Sequence, residues 1–350
     1  MERNTHTGKS RALELLVGGY LPSALIIVGG VGVYFVLFEV LVDPLNPAGA
    51  LPEAKAVFLW EGESPAPQSA ILAADLNARY AFAVPSVLMT LSFIAAVIMA
   101  FGLVLPQFGP AAIALGLLSL PLGAGIGFFE QYANPIRAIV ADCMPGLTVA
   151  SCPLDQAALR APPGLVFGAD TLAQVRFLAN LNSMVSVAAI ALIAACGIFI
   201  ARTVPEWQLD TGYLARRRMG LDAMLTVVGP ILVFSVATTH GFYHFSSALM
   251  QTSPADSYRL LASAGTTYWG AVYTTVLVVI AVPAAVSVVR DGKRAAAAAL
   301  PDGNLTERLE WRKREGVELS IDDRVRLAVA SFAPVLTTPF LDLLRNSLGV

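Results

Sequence analysis

Apolar residues run along this chain in blocks of about 20, the length a helix needs to cross the hydrocarbon of a bilayer. The blocks fall at 20–42, 82–105, 111–129, 184–201, 221–239 and 264–289. None alternates with the period of two that a half-buried strand requires. The pattern predicts an all-α, polytopic membrane protein with six transmembrane helices arranged as three hairpins. A cytoplasmic N-terminus (1–19) precedes the transmembrane domain (20–289). Its extracytoplasmic loops are 43–81, 130–183 and 240–263, and a helical cytoplasmic tail (290–350) follows.

Local signals refine these elements. The 20–42 run is too long for a signal-peptide core and lacks a small-residue cleavage site, so it reads as an uncleaved first span. Gly29, Gly30 and Gly32 in it suit close helix approach. A helix is expected to start near Gln68 and to run through Asp75 and Arg79 into the second span. Asp170 is the expected N-cap of the helix leading into the fourth. In the tail, Asn304 with Glu307 three residues on predicts a capped helix over 305–315. Ser320 and Asp323 repeat that pattern before the apolar stretch 325–348. Pro334 and Pro339 interrupt that stretch, so it reads as a helix-turn-helix on the membrane face or against a neighbouring subunit. A seventh span is the alternative.

Composition agrees with a lipid-facing protein. Of 350 residues, 56% are hydrophobic and only 14% charged, where soluble domains carry about 25% charged residues. A net charge of −2 argues against nucleic acid as a partner. The expected partner is the bilayer itself, with residues 305–350 as a surface for a homo-oligomer or a cytoplasmic partner.

Orientation follows from the basic residues. With both termini cytoplasmic, only Lys55, Arg79, Arg137, Arg160, Arg176 and Arg259 of the 23 Lys and Arg fall outside. The Arg216–Arg217–Arg218 cluster then lies inside, as the positive-inside rule requires, and the expected location is the plasma (inner) membrane. Cys143 and Cys152 would share an extracytoplasmic loop, where a disulfide can persist.

Candidate chemistry collects at the outer ends of the odd-numbered spans. Each has an aromatic residue followed at once by an ionisable one: Phe38–Glu39, Phe129–Glu130 and Tyr243–His244. The similarity suggests a weak threefold repeat. Glu39 sits between apolar neighbours, and a carboxylate in a span costs about 2.5–3.5 kcal/mol unless it finds water or a partner. His240 and His244 are four residues apart, on one face of a helix. That is half of a metal site, which Glu39 or Glu130 would complete, or part of a proton-responsive cluster, since histidine titrates near neutral pH. No particular metal and no cofactor is implied.

Several enzyme classes drop out. Three histidines are too few for a membrane di-iron enzyme, and the nucleophile-elbow, zincin and P-loop motifs are absent. Three readings remain. The first is a transport or channel-like protein with Glu39, Glu130, His240 and His244 lining a cation- or proton-responsive outer vestibule. The second is a sensory or scaffolding protein coupling outer loops to the tail. The third is a membrane enzyme without a recognisable motif.

Overall fold

The computed structural model describes residues 57–61, 65–133, 169–202 and 209–348, with isolated positions at 23–25, 27–29, 32, 157, 161 and 204. Glu39, Cys143, Cys152 and nearly all of the 20–42 run lie outside the described residues. The described chain is almost entirely helical: α1 (Gln68–Met99), α2 (Pro110–Ala133), α3 (Ala169–Ile200), α4 (Thr211–Ala248), α5 (Thr252–Ala299), α6 (Leu305–Arg314) and α7 (Ile321–Leu348). A π-helical turn and a 3-10 turn extend α1 to Phe108, where Gly109 reverses the chain into α2. Among the described residues the only β pairing is an isolated antiparallel bridge, Phe58 to Met250.

Six of these helices are long and apolar enough to cross a membrane. The protein is multi-pass, and its medium is a lipid bilayer. The six are not the predicted six, however. Segment Val325–Leu343 of α7 joins the five later spans, while most of 20–42 lies outside the described residues.

The centre of the bundle is α4. It packs against α1, α3, α5 and α7, whereas α2 packs chiefly against α3. Glycines permit close backbone contacts at two of these crossings. A Cβ at Gly241 of α4 would sit 2.5 Å from the Ala81 carbonyl oxygen of α1. One at Gly270 of α5 would sit 2.7 Å from the Pro334 carbonyl oxygen of α7. Small residues at such crossings let backbones touch where lipid supplies no hydrophobic drive. Outward faces are apolar. On α7 the exposed residues Val325, Val329, Phe332, Leu336, Phe340 and Leu343 recur every three or four positions. The polar Ser331 and Thr338 are buried. Polar-in and apolar-out is the pattern of a helix in lipid, not of one on an aqueous face.

Three expectations are corrected. First, α7 is one continuous helix rather than a helix-turn-helix, with Pro334 and Pro339 inside it. A proline frees one carbonyl four residues back, here those of Ala330 and Val335, and neighbouring helices let a membrane helix tolerate that. One face of the helix packs within its own chain, on α4 and α5. Second, the region 240–263 is not a loop. Helix α4 runs on to Ala248 and α5 starts at Thr252. Third, α3 begins at Ala169, so Asp170 lies in its first turn instead of capping it. There its charge still favours the helix N-terminus. The Gln68 start and the Asn304–Glu307 capping box are as expected.

Part of the first long loop closes the α4–α5 turn. Leu59 N–H donates to the Leu249 carbonyl at 2.9 Å, and Gln251 N–H to the Val57 carbonyl at 2.8 Å. Phe58, fully buried, stacks on Trp60.

Candidate functional site

Each end of α4 carries a polar cluster, and the two are about 35–40 Å apart by helical rise. At the histidine end, His240 and His244 project from the same face of α4 one turn apart. Their rings lie 4.2 Å centre to centre, with 42° between the planes. Helix α7 brings Asp342 to them and α5 brings Ser263. The Asp342 carboxylate is 4.0 Å from His240 Nε2. The Ser263 hydroxyl donates to Asp342 at 3.2 Å and lies 3.3 Å from His244 Nε2. One ligand atom from each of His240, His244 and Asp342 falls within 4.8 Å of the others. His244 is buried, the His240 side chain is 12% exposed and that of Asp342 is 34% exposed. The cluster is thus sheltered but open on one side. Below it, Tyr243, Trp269 and Tyr273 form an aromatic layer in which the Trp269 indole N–H donates to the Tyr243 hydroxyl at 3.1 Å.

Chemically, two imidazoles and a carboxylate can hold a proton or coordinate a cation. The structure thus joins two of the predicted residues, His240 and His244, to two that sequence reasoning missed. The expected third ligand, Glu39 or Glu130, is not the carboxylate found beside them. Glu39 lies outside the described residues. Glu130 is in the last turn of α2, a helix that packs chiefly on α3. The signal for Asp342 was present, since it too is a carboxylate among apolar residues (Phe340, Leu341, Leu343, Leu344).

At the arginine end, Arg217 is fully buried against a fully buried Asp291, with Nη1 to Oδ2 at 2.7 Å. The rest of the guanidinium is also used. It donates through Nε to the Ile200 carbonyl at 2.8 Å and through Nη2 to Ser287 at 2.7 Å. Ser287 and Ser23 in turn donate to the Ala201 carbonyl at 3.0 and 2.9 Å. These carbonyls are the ones that the C-terminus of α3 leaves without helical donors, where a cation also complements the helix dipole. Arg218 takes a different partner, Asp323 at the start of α7, at 2.9 Å. Burial pushes the Asp323 carboxyl up. The Ser320 backbone N–H and hydroxyl and the Arg218 guanidinium outweigh it and hold the group below the usual carboxylate range.

Between the two ends, α1, α3 and α4 share a buried polar seam. Asn182 donates to Ser86 at 2.8 Å, and Ser186 pairs with Ser235 at 2.8 Å. Both Ser186 and Ser235 also contact the Met89 sulfur. No protein-family model, curated protein or solved structure matches the chain.

Proposed function

We propose that this is a cation-handling transport or channel-like membrane protein whose outer vestibule is centred on His240, His244, Asp342 and Ser263. The observation that carries the reading is the convergence of four polar side chains, three of them ionisable, from three helices at one end of the bundle. A carboxylate among lipid-embedded helices is costly, and such groups commonly mark ion pathways. Glu39 and Glu130, at the corresponding ends of their own spans, extend the vestibule in this reading. The Arg216–Arg218 end is cytoplasmic, following the distribution of basic residues.

The test is flux of monovalent, divalent and hydrogen ions in proteoliposomes containing the full chain. Wild-type protein is expected to carry one of these, and Asp342→Asn and His244→Ala to reduce the rate at least tenfold. Absence of any flux, or flux untouched by both substitutions, removes the reading.

A sensory reading has its own support. One helix, α7, touches the histidine cluster through Asp342 and the arginine end through Asp323. A ligand at the outer cluster that shifted α7 would be felt at the capped turn preceding it. If truncation after Gly303 leaves complex formation and phenotype intact, this second reading loses its support.

A further inference from the structure

The geometry points to a binding site for a borderline divalent transition cation of the zinc class, with His240, His244 and Asp342 as its ligands. This rests on the cation-handling reading above and names its ion. Ligand identity comes first. Two imidazole nitrogens with one carboxylate suit zinc-like ions, whereas magnesium and calcium take oxygen ligands. Ligand spacing comes next. In a tetrahedral site with metal–ligand bonds of about 2.0–2.2 Å, ligand atoms lie about 3.3–3.6 Å apart. The His240 Nε2–Asp342 Oδ1 separation of 4.0 Å is a little wider than that. The whole set lies within 4.8 Å, so closing any pair takes side-chain shifts of no more than about 1.5 Å in total.

Two further features fit. The hydroxyl of Ser263 already donates to the Asp342 oxygen, the outer-shell bond that orients a ligating carboxylate. Three protein ligands also leave a fourth position open on the exposed side of Asp342, the arrangement of a site that exchanges its ion or a water. Because two ligands come from α4 and one from α7, the ion would pin α7 to the bundle.

The experiment uses the full chain in detergent or nanodiscs, stripped with chelator and titrated with cobalt(II), whose visible bands report tetrahedral coordination. One saturable equivalent is expected, displaced by zinc. His240→Ala, His244→Ala and Asp342→Asn should each weaken binding beyond the about 100-fold that loss of an outer-shell partner costs, and Ser263→Ala should stay within it. Asp342→Glu keeps a carboxylate and is expected to bind more tightly than Asp342→Asn. Melting of each metal-free variant is compared with metal-free wild type. Where Asp342→Asn fails to fold, His240→Gln decides instead. No saturable binding, or binding that survives loss of His240 and of Asp342, overturns the site. Saturable binding with no ion flux retains the site and removes the transport reading. Flux with no saturable binding does the reverse.

Discussion

Arg217 shows how differently adjacent residues of one type are used. Arg216, Arg217 and Arg218 read as one basic cluster that orients the protein, yet Arg217 is fully buried and Arg218 holds the start of α7. No periodicity announces this, because the partner Asp291 lies on another helix. A buried pair is costly to break, since removing one member strands the other charge. Arg217→Met is therefore expected to destabilise the protein by about 3–5 kcal/mol, read as a lower melting temperature in detergent. Arg217→Met with Asp291→Leu should recover much of the loss, because an apolar pair can replace an ionic one at little cost. Melting of Arg217→Met at the wild-type temperature would show that the pair contributes nothing. Asp323 gives a prediction in pH. Its folded carboxyl is a stronger acid than in the unfolded chain, so the ionised form favours folding. That contribution is whole above the unfolded carboxylate range and is lost as pH falls through the lower, folded value. The stability advantage of wild type over Asp323→Asn should be full at neutral pH and vanish in acid. An advantage that stays constant across the titration would mean the charge is irrelevant.

Helix α7 is the element on which the cluster depends, and the one hardest to read in advance. The capping boxes before α6 and α7 were visible because a cap is local, built from residues three apart. The central apolar runs were visible because twenty such residues have few soluble uses. The stretch after Val325 combined two prolines with charged ends, which in water would break a helix. In lipid those prolines are tolerated, and the spacing of Val325, Val329, Phe332, Leu336, Phe340 and Leu343 becomes a lipid-facing stripe. The histidine pair was legible from its spacing of four. Its carboxylate partner was not, since only tertiary packing brings residue 342 to residue 240. The packing can be tested directly. A Cβ at Gly229 would lie 3.5 Å from that of Ala330, within the range for a disulfide. Gly229→Cys with Ala330→Cys, in a background lacking Cys143, Cys152 and Cys196, should crosslink readily under mild oxidation. Failure to crosslink would place α7 elsewhere. Conversely, Gly270→Leu drives a side chain into the Pro334 backbone, and should abolish that crosslink while α1 and α4 remain packed.

At the scale of the whole molecule, α7 bears on the sidedness of the chain. Between its contacts with Arg218 and His240, α7 runs from Asp323 to Asp342, about 29 Å of helix, close to the thickness of bilayer hydrocarbon. It lies parallel to α4, with Ala330 opposite Gly229 and Asp342 opposite His240. A helix that matches α4 over this length, with apolar residues outward, is expected to cross the membrane beside it. The 20–42 run supplies a further predicted crossing before α1. An odd number of crossings puts the two termini on opposite sides, against the sequence-based expectation of two cytoplasmic termini. The basic residues do not object. Between Arg290 and Arg326 they remain at the arginine end, and only Arg345 moves to the other side, where a single charge weighs little. Reporter fusions decide the matter. Alkaline phosphatase, active only outside the cytoplasm, should be inactive when joined after Gly303 and active when joined after Val350. A fluorescent protein that matures only in the cytoplasm should give the opposite pair of results. If both positions report the same side, α7 does not cross, Asp342 lies in water, and the vestibule must be rebuilt from α4 and the first span alone.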